Sequence, residues 1–247
     1  MKTNTSCAAC AFTRLEMAVV IATLALLAAV ALPVLAGNKL RSEQVSCLSN
    51  LRQLGQAVHL WGNDHGDRTP WFTPESEGGT RDSTNALKNN LWFQFGALSN
   101  ELVSARVLVC PSDQGVGAPR RMADSFSNDP NGGFFAPGFR NQSVSYLIGL
   151  HAYFAASRTI LSGDRNLRWD ALNQSCPVGF PGVVLYAFSG PFGPPANVVW
   201  TNAIHGACGN LLFVDGAAEE FSSASLQAAL NDPGTSCGSS HHFVGPN

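Results

Sequence analysis

A long, uninterrupted apolar run dominates the N-terminal part of the chain. Between Met17 and Ala36 there is no charged residue, and Thr23 carries the only polar side chain. At about 1.5 Å per residue, a helix of this length measures about 30 Å, the thickness of the hydrocarbon core of a bilayer. The run therefore predicts a transmembrane helix over residues 17–36. Glu16 stands at its border, where a carboxylate requires a cationic partner.

A second pattern follows directly, in which apolar residues recur every three to five positions. These residues are Leu40, Val45, Leu48, Leu51, Leu54, Val58 and Trp61. Such a stripe is typical of an amphipathic helix that packs on a core. We therefore expect one continuous helix over residues 12–62, a transmembrane part followed by an amphipathic stalk, which ends at the turn-forming residues 62–66.

The remainder, residues 63–247, alternates between short apolar runs and loops rich in glycine and proline. Strands are expected at 106–109, 144–150, 159–161, 183–188, 198–201, 209–214 and 217–221, with short helices at 85–95 and 224–230. Asp215-Gly216 predicts a two-residue hairpin turn, and Ser222 or Ser223 is the expected cap of the final helix. Because regular β-α alternation is missing, the pattern predicts an α+β fold, with the long helix packed on an antiparallel sheet.

The residues that precede the apolar run carry a motif. A short leader is followed by Phe12-Thr13-Arg14-Leu15-Glu16 and the run itself, with Pro33 further on. This order resembles the N-terminus of type IV prepilins and of type II secretion pseudopilins. The resemblance implies a leader peptide over residues 1–11, cleavage between Ala11 and Phe12 by prepilin peptidase, methylation of the Phe12 amine and a helix kink at Pro33. It also implies that Glu16 of one subunit neutralises the Phe12 amine of its neighbour.

Two positions depart from the family pattern. Ala11 stands where the family normally has glycine, and Arg14 stands where it usually has an apolar residue. The extra methyl group of Ala11 puts the efficiency of cleavage in question. Arg14 can pair with Glu16 within the same chain or extend its charged end to the membrane interface.

A second motif lies near the C-terminus, where His205 is followed after nine residues by Asp215-Gly216. This H-x9-DG pattern, with the segments 47–57, 109–113, 145–146 and 163–166, is similar to a large bacterial group of pseudopilin-like proteins. The resemblance implies a filament subunit of a type II secretion or type IV pilus-like system. It further implies a single-pass inner-membrane protein whose C-terminal domain lies in the periplasm or on the cell surface. The implied partners are prepilin peptidase and other pilin-like subunits.

An ordinary signal peptide is the alternative interpretation of the N-terminus. Val34-Leu35-Ala36 has the small-residue character of a cleavage site, and its use would release a secreted or anchored envelope binding module. Candidate ligand-contacting aromatics are Trp71, Trp92, Trp169 and Trp200, although core packing is the simpler role. The apolar run exceeds the usual 7–15 residues of a signal peptide, which favours the pseudopilin-like interpretation.

Composition narrows the possible functional classes of the protein further. Charged residues make up 13% of the chain, the formal net charge is −2 and no basic patch stands out, so we expect no nucleic-acid partner. Of the seven cysteines, Cys7 and Cys10 lie in the expected leader. One disulfide among the remaining five is expected in an oxidising compartment, but the spacing leaves its connectivity open.

The candidate chemistry centres on a few polar residues. His205, Asp164 and Asp215 can be combined with a serine such as Ser189 into a hydrolytic set, but no G-x-S-x-G motif occurs, and we expect no enzyme. The simpler roles are formation of the turn by Asp215, and a hydrogen bond from His205 that braces the hairpin. We expect no cofactor. The alternative kept open is calcium bound by oxygen ligands from Asp164, Asn166, Asn210 and Asp215.

Overall fold

The computed structural model describes residues 13–83, 87, 90–115, 119–169, 185–189, 198–232, 234 and 240–245, with the backbone alone for 30–38, 40, 169, 185–189 and 240–242. The chain divides into an N-terminal unit, Met1–Ser42, and a compact unit, Glu43–Asn247. The division falls inside the longest helix, α1, which spans Arg14–Asp64.

A reciprocal capping box starts α1. The Oγ1 atom of Thr13 accepts a hydrogen bond from the backbone N–H of Glu16 at 3.2 Å, and Oε2 of Glu16 accepts from the N–H and the hydroxyl of Thr13 at 2.8 and 2.9 Å. This T-x-x-E arrangement satisfies donors that a helix start leaves open. The hydrogen bonds from Thr13 also lower the pKa of the Glu16 carboxyl.

The predicted transmembrane helix requires correction. Among the described residues, no helix is both long and apolar enough to cross a membrane. The transmembrane assignment over 17–36 is therefore wrong, while the long N-terminal helix itself is present.

The C-terminal part of α1 supplies one side of the core of the compact unit. Its buried residues are Cys47, Leu51, Leu54, Ala57, Val58 and Trp61, which confirms most of the predicted apolar stripe. Val45 is an exception, since it is 58% exposed. The helix ends at Asp64, close to the predicted end at residue 62.

Six antiparallel strands form the central sheet in the order β4-β8-β1-β2-β6-β7. Their bounds are Tyr146–Gly149 for β1, Ile160–Asp164 for β2, Leu185–Ser189 for β4, Cys208–Phe213 for β6, Ala218–Ser222 for β7 and Ser240–Val244 for β8. Strands β3 (Leu167–Trp169) and β5 (Val198–Trp200) pair in a separate antiparallel ribbon. The predicted α+β class with an antiparallel sheet is confirmed, although the sequence pattern did not predict β3 or β8.

Both faces of the sheet are covered within the compact unit. Ile148 and Leu212 belong to the core cluster that includes the C-terminal part of α1. Their neighbours Leu147 and Leu211 belong to a second cluster with the β3–β5 ribbon and with helix α3, which spans Ser223–Asn231. Successive side chains of a strand point to opposite faces, so burial on both faces explains why these strands read as continuous apolar runs.

One local prediction is wrong, and a second is confirmed in part. The segment 106–109 was expected to be a strand, but residues Ala105–Leu108 form a 3-10 helix, which Ser104 caps by accepting a hydrogen bond from Arg106 N at 3.3 Å. Helix α2 covers Leu91–Gly96, which confirms the C-terminal half of the helix predicted at 85–95, while residues 84–86 and 88–89 lie outside the described residues.

Candidate functional site

Strands β2 and β6 bring Asp164 and Asn210 together. The two strands pair with Gly163 opposite Leu211, so the last residue of β2 lies beside the middle of β6. Oδ2 of Asp164 accepts hydrogen bonds from the backbone N–H and the side-chain amide of Asn210 at 2.7 and 2.9 Å. Both residues are fully buried, so this contact fixes the orientation of a carboxyl group inside the protein.

His205 reaches the same carboxyl group from the connection between β5 and β6. Its Nε2 atom lies 3.4 Å from Asp164 Oδ2 and also 3.4 Å from the Sγ atom of Cys110. Cys110 forms a disulfide with Cys47 of α1, which confirms the expectation of one disulfide and supplies its connectivity. The His205 side chain is only 3% exposed, so disulfide, imidazole and carboxyl form one buried cluster.

Burial governs the protonation of this cluster. Loss of solvent raises the pKa of Asp164 to about 7, although the hydrogen bonds from Asn210 act in the opposite direction. Burial also lowers the pKa of His205 below its ordinary value. At neutral pH the imidazole is therefore uncharged, and the contact between His205 and Asp164 is not an ion pair.

A buried charge cluster lies nearby, centred on Asp113. Its carboxylate accepts hydrogen bonds from Arg165, and Gly115 N donates to its Oδ1 atom at 2.8 Å. The Nε atom of Arg120 lies 3.2 Å from Asp113 Oδ2. Burial, and then the charge of Arg165, lower the pKa of Arg120 to about 10, so Arg120 remains charged at neutral pH.

Asn166 occupies a structural position beside this cluster. Its side-chain amide donates to the carbonyl oxygens of Thr201 and Cys208, each at 2.9 Å, and so ties the loop after β2 to the two ends of the β5–β6 connection. The structure thus brings Asp164, Asn166 and Asn210 into one region.

Asp215 does not join them. It follows β6 at the opposite end from His205, and a strand of this length spans about 20 Å. The four-residue calcium set is therefore not assembled as predicted. For the same reason His205 and Asp215 cannot act on one substrate atom, so the hydrolytic combination of these two residues is not formed.

Asp215 and Gly216 lie in the hairpin between β6 and β7, as predicted, but the turn type differs. Gly216 has a positive φ of 83°, whereas Asp215 does not. Gly216 N donates to Phe213 O at 3.0 Å, and Ala217 N donates to Asp215 Oδ1 at 2.9 Å. The loop is therefore longer than a two-residue turn, and the carboxylate of Asp215 stabilises it through a local hydrogen bond. His205 does not brace it, since its described contacts are to Cys110 and Asp164.

The predicted processing residues lie at the start of the chain. Ala11 and Phe12 are outside the described residues, as is the side chain of Pro33, so cleavage, methylation and a kink stay predictions. Glu16 is described, and it belongs to the capping box with Thr13. Ser189 lies at the end of β4 with its side chain outside the described set.

Sequence reasoning missed two contacts that organise the site. The Cys47–Cys110 disulfide and the Asp113–Arg165 pair connect the segments 47–57, 109–113 and 163–166. The only signal in the sequence for these contacts is the resemblance of the three segments to the pseudopilin-like group. Comparison of the chain with protein-family models, with curated proteins and with solved structures finds no match.

Proposed function

We propose that this chain is a pseudopilin-like subunit, cut before Phe12, that assembles with further copies through the N-terminal part of α1. The exposed apolar surface of that part carries the proposal. All residues from 13 to 29 are exposed, among them Leu15 at 77%, Leu26 at 68% and Leu27 at 67%. A helix that is apolar on every side needs apolar surroundings, and a bundle of identical helices supplies them.

Glu16 supports this arrangement through its remaining hydrogen-bonding capacity. The capping box uses Oε2, and a carboxylate offers about four acceptor positions over its two oxygens. Oε1 can therefore accept from the Phe12 amine of a neighbouring copy while the capping box stays intact. The lowered pKa of the Glu16 carboxyl favours the charged form that this pairing requires.

The Cys47–Cys110 disulfide supports a location for the compact unit in the periplasm or on the cell surface. Disulfides form and persist in oxidising compartments, which lie outside the cytosol. Prepilin peptidase and other pilin-like subunits are the partners that belong to the same proposal.

Mass spectrometry of the mature N-terminus tests the processing step. A chain that begins with N-methylated Phe12 is the expected result. A chain that begins at Gly37 would overturn the proposal, because it would show that an ordinary signal peptidase had removed the helix that assembly requires.

Two variants separate the charge of Glu16 from its capping role. Glu16→Gln keeps the capping box, because glutamine also serves at this position, but removes the negative charge. We expect it to lose assembly with unchanged helix content. Thr13→Ala is the matched control, since it removes the cap and keeps the charge, and we expect it to assemble. Filaments of Glu16→Gln at the wild-type level, seen by sedimentation and electron microscopy, would remove the pairing argument.

A cleft in the compact unit favours a second candidate function, a carbohydrate-binding module. The cleft has a volume of about 410 Å³ and is lined by Phe72, Tyr153 and Phe154, with Arg68 and Arg81. Ligand sites are typically apolar clefts with a few polar groups, and aromatic rings offer flat faces for sugars. Of the tryptophans considered from the sequence, Trp71 and Trp200 are buried in the core, and the side chain of Trp169 lies outside the described residues.

Binding of envelope polysaccharide to the full chain tests this candidate. Tyr153 is half-exposed, so Tyr153→Ala should weaken binding without unfolding the protein. Tyr153→Phe, which keeps the ring, should bind nearly as well as the wild type. Absence of polysaccharide binding by the wild-type chain would remove the candidate.

A further inference from the structure

Three potential metal ligands meet in the interior of the compact unit, and the carboxyl group of Asp164 lies beside one of them. The sulfur atoms of Cys47 and Cys110 and a ring nitrogen of His205 lie within 4.8 Å of one another. The Nε2 atom of His205 is 3.4 Å from Cys110 Sγ and 3.4 Å from Asp164 Oδ2. The four residues come from α1, from the loop after residue 108, from the β5–β6 connection and from the end of β2.

The Nε2 atom of His205 has two polar neighbours, and its distance from Asp164 Oδ2 exceeds that of an ordinary hydrogen bond. Nitrogen and oxygen atoms joined by a hydrogen bond are usually 2.7–3.2 Å apart, and one ring nitrogen carries a single donor or acceptor position. Here two neighbours share that nitrogen at equal distance. Zinc bonds measure about 2.3 Å to sulfur and about 2.0–2.1 Å to nitrogen and oxygen. In a tetrahedral site, these bond lengths place a sulfur and a nitrogen ligand about 3.6 Å apart, and a nitrogen and an oxygen ligand about 3.4 Å apart.

We propose that the dithiol form of this chain binds one zinc ion through the thiolates of Cys47 and Cys110, Nε2 of His205 and a carboxylate oxygen of Asp164. Two cysteines, one histidine and one carboxylate are all established ligand types for zinc, and four ligands complete its usual coordination.

The surroundings of Asp164 match a supported ligand. Its Oδ2 atom is already held by two N–H donors of Asn210, and outer hydrogen bonds of this kind orient metal-binding carboxylates. The sulfur atoms and the carboxylate are almost fully buried, so bulk water is excluded from the site.

Zinc binding and the disulfide exclude each other. A phosphine reductant breaks the S–S bond by donating two electrons, two thiols form with protons from water, and the phosphine becomes its oxide with the oxygen of that water. Zn²⁺ then displaces the two thiol protons, since thiolates are the metal ligands. Zinc would therefore take over the link between α1 and the loop at Cys110 when the disulfide is open.

The test uses the full chain in a background where the five other cysteines, Cys7, Cys10, Cys176, Cys208 and Cys237, are replaced by serine. The protein is reduced with a phosphine without oxygen and titrated with Co²⁺ and then with Zn²⁺. We expect one ion per chain, with tetrahedral Co²⁺ absorption and thiolate-to-cobalt charge transfer that Zn²⁺ abolishes. The oxidised chain should bind zinc at least about 100-fold more weakly, because it offers no thiolate.

Variants in the same background decide which residues bind. His205→Gln should weaken zinc binding at least about 100-fold, since even the loss of an outer-shell partner costs 10–100-fold, and Cys47→Ser should abolish the cobalt charge-transfer band. His59→Gln is the matched control, because this histidine of α1 contacts Val214 O and should leave zinc affinity unchanged.

Circular dichroism accompanies each titration to follow folding. Unchanged affinity in His205→Gln would overturn the assignment. So would a reduced wild-type chain that stays folded and binds no zinc, or one that unfolds and does not refold when zinc is added.

Discussion

Asp113 and Arg165 form a buried ion pair with two hydrogen bonds. Nε of Arg165 donates to Asp113 Oδ2 at 2.6 Å and a terminal nitrogen donates to Oδ1 at 2.5 Å, between residues 52 positions apart in the chain. Arg120 lies 3.2 Å from the same carboxylate. One carboxylate thus compensates two buried guanidinium groups, and it joins the loop after Cys110 to the end of β2.

Removal of this carboxylate should destabilise the fold strongly. We expect Asp113→Asn to lower the free energy of unfolding at pH 7 by about 3–5 kcal/mol, because it leaves buried cations without compensation. Urea unfolding measures the change. Asp124→Asn is the control, since Asp124 pairs with Arg106 at the exposed surface and should cost about 1 kcal/mol or less.

The same pair gives the pH dependence a defined sign. Burial raises the pKa of Asp113, but the hydrogen bonds and charge of Arg165 outweigh it, so the pKa lies below its ordinary value of 3.8. A carboxyl of this kind stabilises the fold above its unfolded-state pKa and loses that effect as the pH falls through its folded-state pKa. The stability difference between wild type and Asp113→Asn should stay constant from pH 7 to about 5 and shrink below about pH 4. A difference that grows on acidification would contradict this account.

The Asp113–Arg165 pair also shows where sequence reasoning stops. Segments 109–113 and 163–166 could be singled out, but periodicity does not say which loops meet. That depends on the pairing of β2 with β1 and β6 and on the Cys47–Cys110 link, which are long-range contacts. The apolar strands were predictable because burial on both faces makes them continuously apolar.

The contact at the start of α1, by contrast, is local and follows a pattern that the sequence contains. Thr13-Arg14-Leu15-Glu16 matches the T-x-x-E pattern of a capping box, and Thr13 is the local partner of Glu16 in the structure. The apolar run that follows Glu16 hides this simpler role, because it suggests a membrane environment in which the carboxylate needs a cation from Arg14 or from another subunit.

Gly216 is expected to tolerate substitution only at a conformational cost. Its φ is +83°, and a Cβ atom at this position would have no neighbour within 4 Å. Gly216→Ala should therefore lower the free energy of unfolding by about 1–2 kcal/mol through backbone strain alone. Gly216→Asn should cost less, because asparagine adopts this conformation more readily. Equal losses for both variants in urea unfolding would point to a clash instead.

Ser222 is expected to stabilise the start of α3. Its Oγ atom accepts a hydrogen bond from Ser225 N at 3.2 Å, whereas Ser223 Oγ accepts from Trp200 N. Ser222→Ala should cost about 1 kcal/mol and accelerate hydrogen exchange of the Ser225 amide. Ser223→Ala is the control, and it should leave that amide protected. Faster exchange in Ser223→Ala alone would show that Ser223, and not Ser222, caps the helix.

The Cys47–Cys110 disulfide is expected to be a major source of stability. It links residues 63 positions apart, and the loss of loop-closure entropy in the unfolded chain corresponds to about 4 kcal/mol for a loop of this size. Reduction in the presence of a metal chelator should lower the free energy of unfolding by about that amount, measured by urea unfolding of the oxidised and reduced chains. Cys208→Ser serves as the control, because Cys208 is a free cysteine and its replacement should leave the difference between the two states unchanged. Since both sulfur atoms lie in the core beside His205, equal midpoints for the oxidised and reduced chains would mean that core packing alone holds the loop at Cys110 against α1.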